Sequence, residues 1–210
     1  MNIKKRISEV IRRLKKEYPE PKTALSFKRP FELLVATILS AMTTDVHVNK
    51  VTKNIFKKYR SIRDYAESSL PKFQKDISSI NFYRNKAKNI QASAKMIMEK
   101  FNSKVPRTMD ELLSLPGVAR KTANIILSNA YGINEGIAVD THVKRLADRL
   151  GFTKNEGPVK IEKDLMDITP EEEWGNLSHL LILHGRKVCQ AKIPKHEECT
   201  LYDICPSKDI

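Results

Sequence analysis

Residues 115–123 read Leu115-Pro116-Gly117-Val118-Ala119-Arg120-Lys121-Thr122-Ala123, and what flanks them decides the fold. Upstream, Thr108 and Glu111 have the spacing of a capping box, which starts a short helix carrying Leu112 and Leu113. Leu115-Pro116-Gly117 then breaks the chain, because glycine reaches backbone conformations that other residues avoid. Downstream, a helix is expected from Ala119 to Ala130. The pattern is helix, tight turn, helix, with unpaired N–H groups at the head of the second helix. Such a turn can hold a phosphate through its backbone without reading a base. A plain connection between two helices uses the same pattern.

Outward from this hairpin the periodicity stays helical. Ile3, Ile7, Val10, Ile11 and Leu14 fall on one helical face, closed by Tyr18-Pro19. Pro30 opens a helix whose next residues, Phe31 to Leu39, are apolar on nearly every side, as expected of a buried central helix. Further apolar stripes run through Val48, Val51, Ile55, Phe56 and Tyr59, and through Ala87, Ile90, Ala94, Ile97 and Phe101. Later helices carry Val143, Leu146 and Leu150, then Ile161 and Leu165, then Trp174 to Leu183. No stretch alternates with period two for long enough to build a sheet. The fold class is all-α.

Composition narrows the function. The 210 residues carry 38 Lys and Arg against 25 Asp and Glu, a formal charge of +13. That excess suits a polyanion, either nucleic acid or an anionic membrane surface. No apolar run approaches the roughly 20 residues of a membrane span, and the basic start leads into an amphipathic pattern rather than a signal sequence. A cytosolic protein is expected. All seven glycines lie at or after Gly117, so the GxGxxG loop and the Walker phosphate loop are both missing.

Three constellations carry chemistry. Lys121 follows the hairpin in the first turn of its helix, where the helix dipole opposes added positive charge and favours a neutral, nucleophilic amine. Nineteen residues further on, Ala138-Val139-Asp140-Thr141-His142 places Asp140 at a helix N-cap. Capping accounts for an aspartate there by itself. Facing Lys121 across a cleft, the same carboxylate would stabilise an electron-poor sugar carbon between the two groups. Third, Cys189, His196, Cys199 and Cys205 are spaced C-x6-H-x2-C-x5-C. Clustered cysteines in a cytosolic chain are a poor disulfide framework, and four soft ligands this close suit an iron–sulfur cluster or tetrahedral zinc. Buried thiols are the plain alternative.

Together these residues resemble the endonuclease III family of DNA glycosylases, within the helix-hairpin-helix superfamily. The resemblance covers nearly the whole chain: Pro30-Phe31-Glu32-Leu33-Leu34, Leu39-Ser40-Ala41, Thr44-Asp45, Leu115 to Asn124, Val139-Asp140-Thr141-His142, and Leu181-Ile182-Leu183-His184-Gly185-Arg186. It implies two α-helical domains flanking a DNA-binding cleft. A six-helix domain would span residues 23–135, and residues 1–22 would join 136–210 in a cluster-bearing domain.

The resemblance also implies roles. Lys121 matches the nucleophilic lysine and Asp140 the catalytic aspartate. Monofunctional relatives lack that lysine, so glycosylase and abasic-site lyase activities are both implied, acting on oxidised or damaged pyrimidines in duplex DNA. The implied enzyme is a monomer without a membrane partner. Gly117, Ala119, Arg120 and His142 fall among DNA-contacting positions. Ala119 stands where the hairpin more often has a second glycine. Met42 stands where a glutamine usually enters the gap left by the flipped base, and Phe82 where a leucine usually forms the second wedge. A [4Fe-4S] cluster would take Cys189, Cys199 and Cys205, with His196 in place of the usual second cysteine; zinc or no metal are the alternatives. Two other functions remain open: a mismatch- or adenine-directed glycosylase of the same superfamily, and a non-catalytic hairpin module that binds DNA.

Overall fold

The computed structural model describes residues 1–208, and among them there is no β-strand. The chain divides into two compact units. One runs from Thr23 to Ile133; the other joins Met1–Lys22 to the chain from Asn134 onward. No helix of the described residues is long and apolar enough to cross a membrane.

In order, the helices are α1 (Ile3–Glu17), α2 (Pro30–Ser40), α3 (Asp45–Lys58), α4 (Ile62–Glu67), α5 (Leu70–Asp76), α6 (Tyr83–Lys100), α7 (Met109–Leu113), α8 (Arg120–Ile126), α9 (Thr141–Arg149), α10 (Pro158–Ile168) and α11 (Trp174–Lys187). The Thr23–Ile133 unit is built around α2. Every residue from Phe31 to Leu39 is buried, which is why its sequence shows no polar face. Buried Glu32 stays in place because Arg29 donates to it from Nη2 at 2.7 Å and the Lys28 N–H at 2.7 Å. Phe31, Tyr59, Tyr65 and Phe73 pack edge-on or tilted at centroid distances of 5.0–5.6 Å, tying α2 to α4 and α5.

The other unit has its own core, with Ile7, Val10 and Leu14 of α1 against Val143 and Leu146 of α9 and Leu177, Leu180 and Leu181 of α11. The α9–α11 contact needs glycine. A Cβ at Gly185 would stand 3.1 Å from both Arg145 Nη2 and Leu146 Cδ1.

Two local expectations change. The helix expected to run on to Ala130 leaves α geometry at Ile126 and continues as a π turn, Leu127–Tyr131, ended by Gly132 in the left-handed region at φ 67°. At α7, the Thr108 hydroxyl accepts from the Glu111 N–H, but Glu111 Oε2 receives the Thr108 hydroxyl (2.9 Å) rather than a backbone N–H. The true reciprocal box lies at Ser61 and Asp64, at the head of α4.

Candidate DNA-processing site

The hairpin between α7 and α8 is built on α6. Gly117 turns the chain at φ +80°, and a Cβ there would come within 2.9 Å of Asn89 Cβ. Ser93 Oγ donates to the Pro116 carbonyl at 2.8 Å. No side chain caps α8, whose N-cap is Ala119 in extended conformation. The cap residue therefore offers the first-turn N–H groups no side-chain acceptor. Gly117, Ala119 and Lys121 are exposed and Arg120 is half-buried. Lys121 thus sits at the open head of the helix, where the dipole attracts anions.

Met42 and Phe82 are 77% and 67% exposed, unusual for large apolar side chains beside a well-packed core. Both adopt left-handed backbone, at φ 56° and 57°. They are also joined: Asn81 Nδ2 donates to the Met42 carbonyl at 2.6 Å. Phe82 is the N-cap residue of α6. Residues 82, 86, 89 and 93 follow i, i+4, i+7, i+11 spacing, so Phe82, Lys86, Asn89 and Ser93 share one helical face.

Asp140 caps α9. Its Oδ1 accepts from the N–H of His142 at 2.8 Å and of Val143 at 2.9 Å. Both bonds use one oxygen, which leaves Oδ2 for a second partner. His142 is half-buried, its Nδ1 3.2 Å from Arg145 Nη2.

Cys189, Cys199, Cys205 and His196 line one small pocket, with a cavity volume of about 20 Å³. Among the described residues no three His, Cys, Asp or Glu side chains converge on a single ion position; the thiols ring the pocket instead. Burial pushes the Cys199 and Cys205 thiols up. The His196 ring lies 5.7 Å from that of Tyr202. Helix α9 anchors the start of this loop. Arg149 Nη1 donates to Cys189 Sγ at 3.2 Å and to the Gln190 carbonyl at 2.8 Å, while Arg145 Nη2 donates to the Cys189 carbonyl at 3.0 Å.

Residues 35–171 match the family model described as HhH-GPD superfamily base excision DNA repair protein. The chain belongs to that superfamily. It is 50% identical over 204 residues to endonuclease III of Synechocystis sp. (strain ATCC 27184 / PCC 6803 / Kazusa), covering 97% of this chain and 93% of that one. With endonuclease III of Escherichia coli (strain K12) it shares 38% over 209 residues, covering 100% and 98%. Its fold superposes at a TM-score of 0.93 and 45% identity on a trapped endonuclease III–DNA covalent intermediate, covering 99% of this chain and 98% of that one. A thermostable thymine-DNA glycosylase at 21% identity and TM-score 0.87 shares the fold.

Within this HhH-GPD chain, the residues that hold the site were not legible from the sequence. Lys86, Asn89, Ser93, Arg145 and Arg149 look like ordinary polar positions on helices, and Asn81 like an ordinary turn residue. Only the alignment of Lys86, Asn89 and Ser93 on one face of α6 marks them, and that spacing is shared by any solvated face.

Proposed function

We infer that the chain is a bifunctional DNA glycosylase and abasic-site lyase of base excision repair, and we propose that it removes oxidised or damaged pyrimidines from duplex DNA through Lys121 and Asp140. The observation that carries this is the exposed Lys121 at the uncapped head of α8, in a chain 45% identical to an endonuclease III trapped covalently on DNA.

The lesion must leave the base stack before its sugar is reached. Met42 and Phe82 would fill the gap as apolar wedges. The hairpin backbone and Arg120 would hold the strand by its phosphates. Lys121 Nζ then attacks C1′. The new N–C bond forms as the glycosidic bond breaks; the base departs with that electron pair and takes up a proton. Opening of the sugar gives an imine between Nζ and C1′. Loss of a C2′ proton sends electrons toward the iminium and expels the 3′ phosphate, nicking the strand. The free Oδ2 of Asp140 is suited to oppose positive charge on the sugar, while Oδ1 holds the cap.

The cysteine pocket supports a resident [4Fe-4S] cluster. Three thiols ring one space, and arginines from α9 donate to Cys189 Sγ and the adjacent backbone, the kind of hydrogen bonding that tunes cluster thiolates. Cys189, Cys199 and Cys205 would hold the cluster, with His196 as the fourth ligand. Bound there, it supplies a cross-link for a loop with little regular structure and a redox-active centre.

Borohydride reduction tests the central claim. The wild-type chain should form a covalent adduct with lesion-bearing duplex, and Lys121→Ala should form none while still binding that duplex. Normal nicking by Lys121→Ala would overturn the assignment.

A further inference from the structure

Met42 occupies a turn that its side chain disfavours. Thr43 N–H donates to the Ser40 carbonyl at 3.1 Å, Ala41 has φ −57° and ψ 120°, and Met42 follows at φ 56°. These are the marks of a type II turn, whose third residue is usually glycine or asparagine. A long side chain persists there only when surrounding contacts over-determine the backbone.

Those contacts come from Lys86 near the start of α6 and from Asn81, the residue before its N-cap. Lys86 is only 6% exposed. Its Nζ donates to the Leu39 carbonyl at 2.8 Å, to the Ala41 carbonyl, and to Thr43 Oγ1 at 3.5 Å. Three N–H groups meet three acceptors, so the buried ammonium is fully used. The Leu39 carbonyl belongs to the last turn of α2, which lacks intrahelical partners and carries the negative end of the helix dipole. Burial lowers the Lys86 pKa; these acceptors favour the charged form in return. Asn81 closes the other side through its bond to the Met42 carbonyl.

We propose that Lys86 and Asn81 are positioning residues that clasp the Met42 turn to the start of α6, so that Met42 and Phe82 meet the duplex as one preformed wedge. The inference rests on the wedge reading of these two side chains. The clasp acts before chemistry, at extrusion of the lesion, where a loose wedge would lose the stack it must replace.

The test separates extrusion from bond breaking. Single-turnover excision is measured for one oxidised pyrimidine, either paired in a duplex or in an unpaired bubble, with 2-aminopurine beside the lesion reporting extrusion. Lys86→Met keeps side-chain bulk and removes the donors; Asn81→Ala removes the exposed contact. Each should slow excision and the fluorescence rise on the paired substrate by at least about tenfold, the scale of a small misplacement, and leave the bubble rate within about twofold. Equal losses on both substrates, or no loss on either, would overturn the clasp. Met42→Ala and Phe82→Ala run alongside. If they spare the paired substrate, the wedge reading itself fails; if they slow it and the clasp variants do not, only the clasp fails. Asn81 is exposed, so Asn81→Ala decides the matter even if Lys86→Met folds poorly.

Discussion

Replacing Asp140 separates two jobs that one carboxylate is proposed to hold. Asp140→Ala removes the oxygen that accepts from the His142 and Val143 N–H groups at the head of α9. Loss of an N-cap acceptor costs about 1 kcal/mol, and loss of negative charge at that helix end adds about 0.3–1 kcal/mol. In a chain of this size each kcal/mol lowers Tm by about 2–4 °C. Asp140→Asn keeps an oxygen for both N–H groups, so only the smaller charge contribution is lost and Tm should fall by no more than about 4 °C. Activity should not follow this ranking. Both variants lose the charge proposed to face the sugar, and removal of one such preorganised group slows reactions by about 100- to 1,000-fold. Asp140→Asn should therefore be nearly as stable as wild type and nearly as inactive as Asp140→Ala. Denaturant unfolding and single-turnover excision at saturating enzyme measure the two quantities independently. Asp140→Asn within a few-fold of wild-type excision would refute the catalytic role and leave the aspartate as a cap alone.

Three further outcomes are expected. Gly117→Ala puts a Cβ within 2.9 Å of Asn89 Cβ at φ +80°. The left-handed backbone alone costs about 1–2 kcal/mol, so both stability and duplex affinity should drop, and an unchanged melting curve would show that the hairpin is not held at this angle. Affinity for duplex should fall with salt: for roughly 5 phosphate contacts, log K against log salt should have a slope near −4 to −5, and a flat line would mean that the basic surface faces something other than DNA. Anaerobically purified protein should be brown with about four iron and four sulfide per chain, and His196→Cys should retain the iron better as pH falls, because an imidazole ligand must be deprotonated to bind; stoichiometric zinc without sulfide would sink the cluster.

What the sequence disclosed follows from where each interaction is encoded. Helices α1, α2, α6 and α9 bury a stripe or a whole surface, so their apolar spacing appears in the chain. The hairpin is legible because Gly117 is the first glycine in the sequence and directly follows Pro116. Helices α4 and α5 have six and seven residues, under two turns each, too short to display a period. The π turn at Leu127–Tyr131 is a shift in hydrogen-bond register that leaves the apolar pattern almost unchanged. Lys86 is the most instructive omission. A lysine within an amphipathic helix reads as solvated, and it is buried only because acceptors from residues 39–43, over 40 positions upstream, close on it.

The placement of strain gives these contacts a common purpose. Among the described residues, four that are not glycine lie at positive φ: Met42, Phe82, Asn102 and Ser103. Asn102 and Ser103 end α6, where the Ser103 N–H returns to the Ile97 carbonyl at 3.0 Å, a common way to close a helix. Met42 follows the C-cap of α2 and Phe82 is the N-cap of α6, and each left-handed conformation costs about 1–3 kcal/mol. Hydrogen bonds to a charged group contribute about 1.5–3 kcal/mol each, so the two closest bonds of Lys86, to Leu39 and Ala41, are enough to offset the strain at Met42. The hairpin draws on the same helix through Asn89 and Ser93. One helix of 18 residues thus carries both the Met42–Phe82 pair proposed as a wedge and the turn proposed to face phosphate. An 18-residue helix spans roughly 27 Å at about 1.5 Å per residue, and Phe82 to Ser93 uses about 16 Å of it, comparable to about five base pairs of duplex at roughly 3.4 Å each. On the proposed roles, wedge and phosphate grip would be held at a set separation before DNA arrives, and little binding energy would go into arranging them.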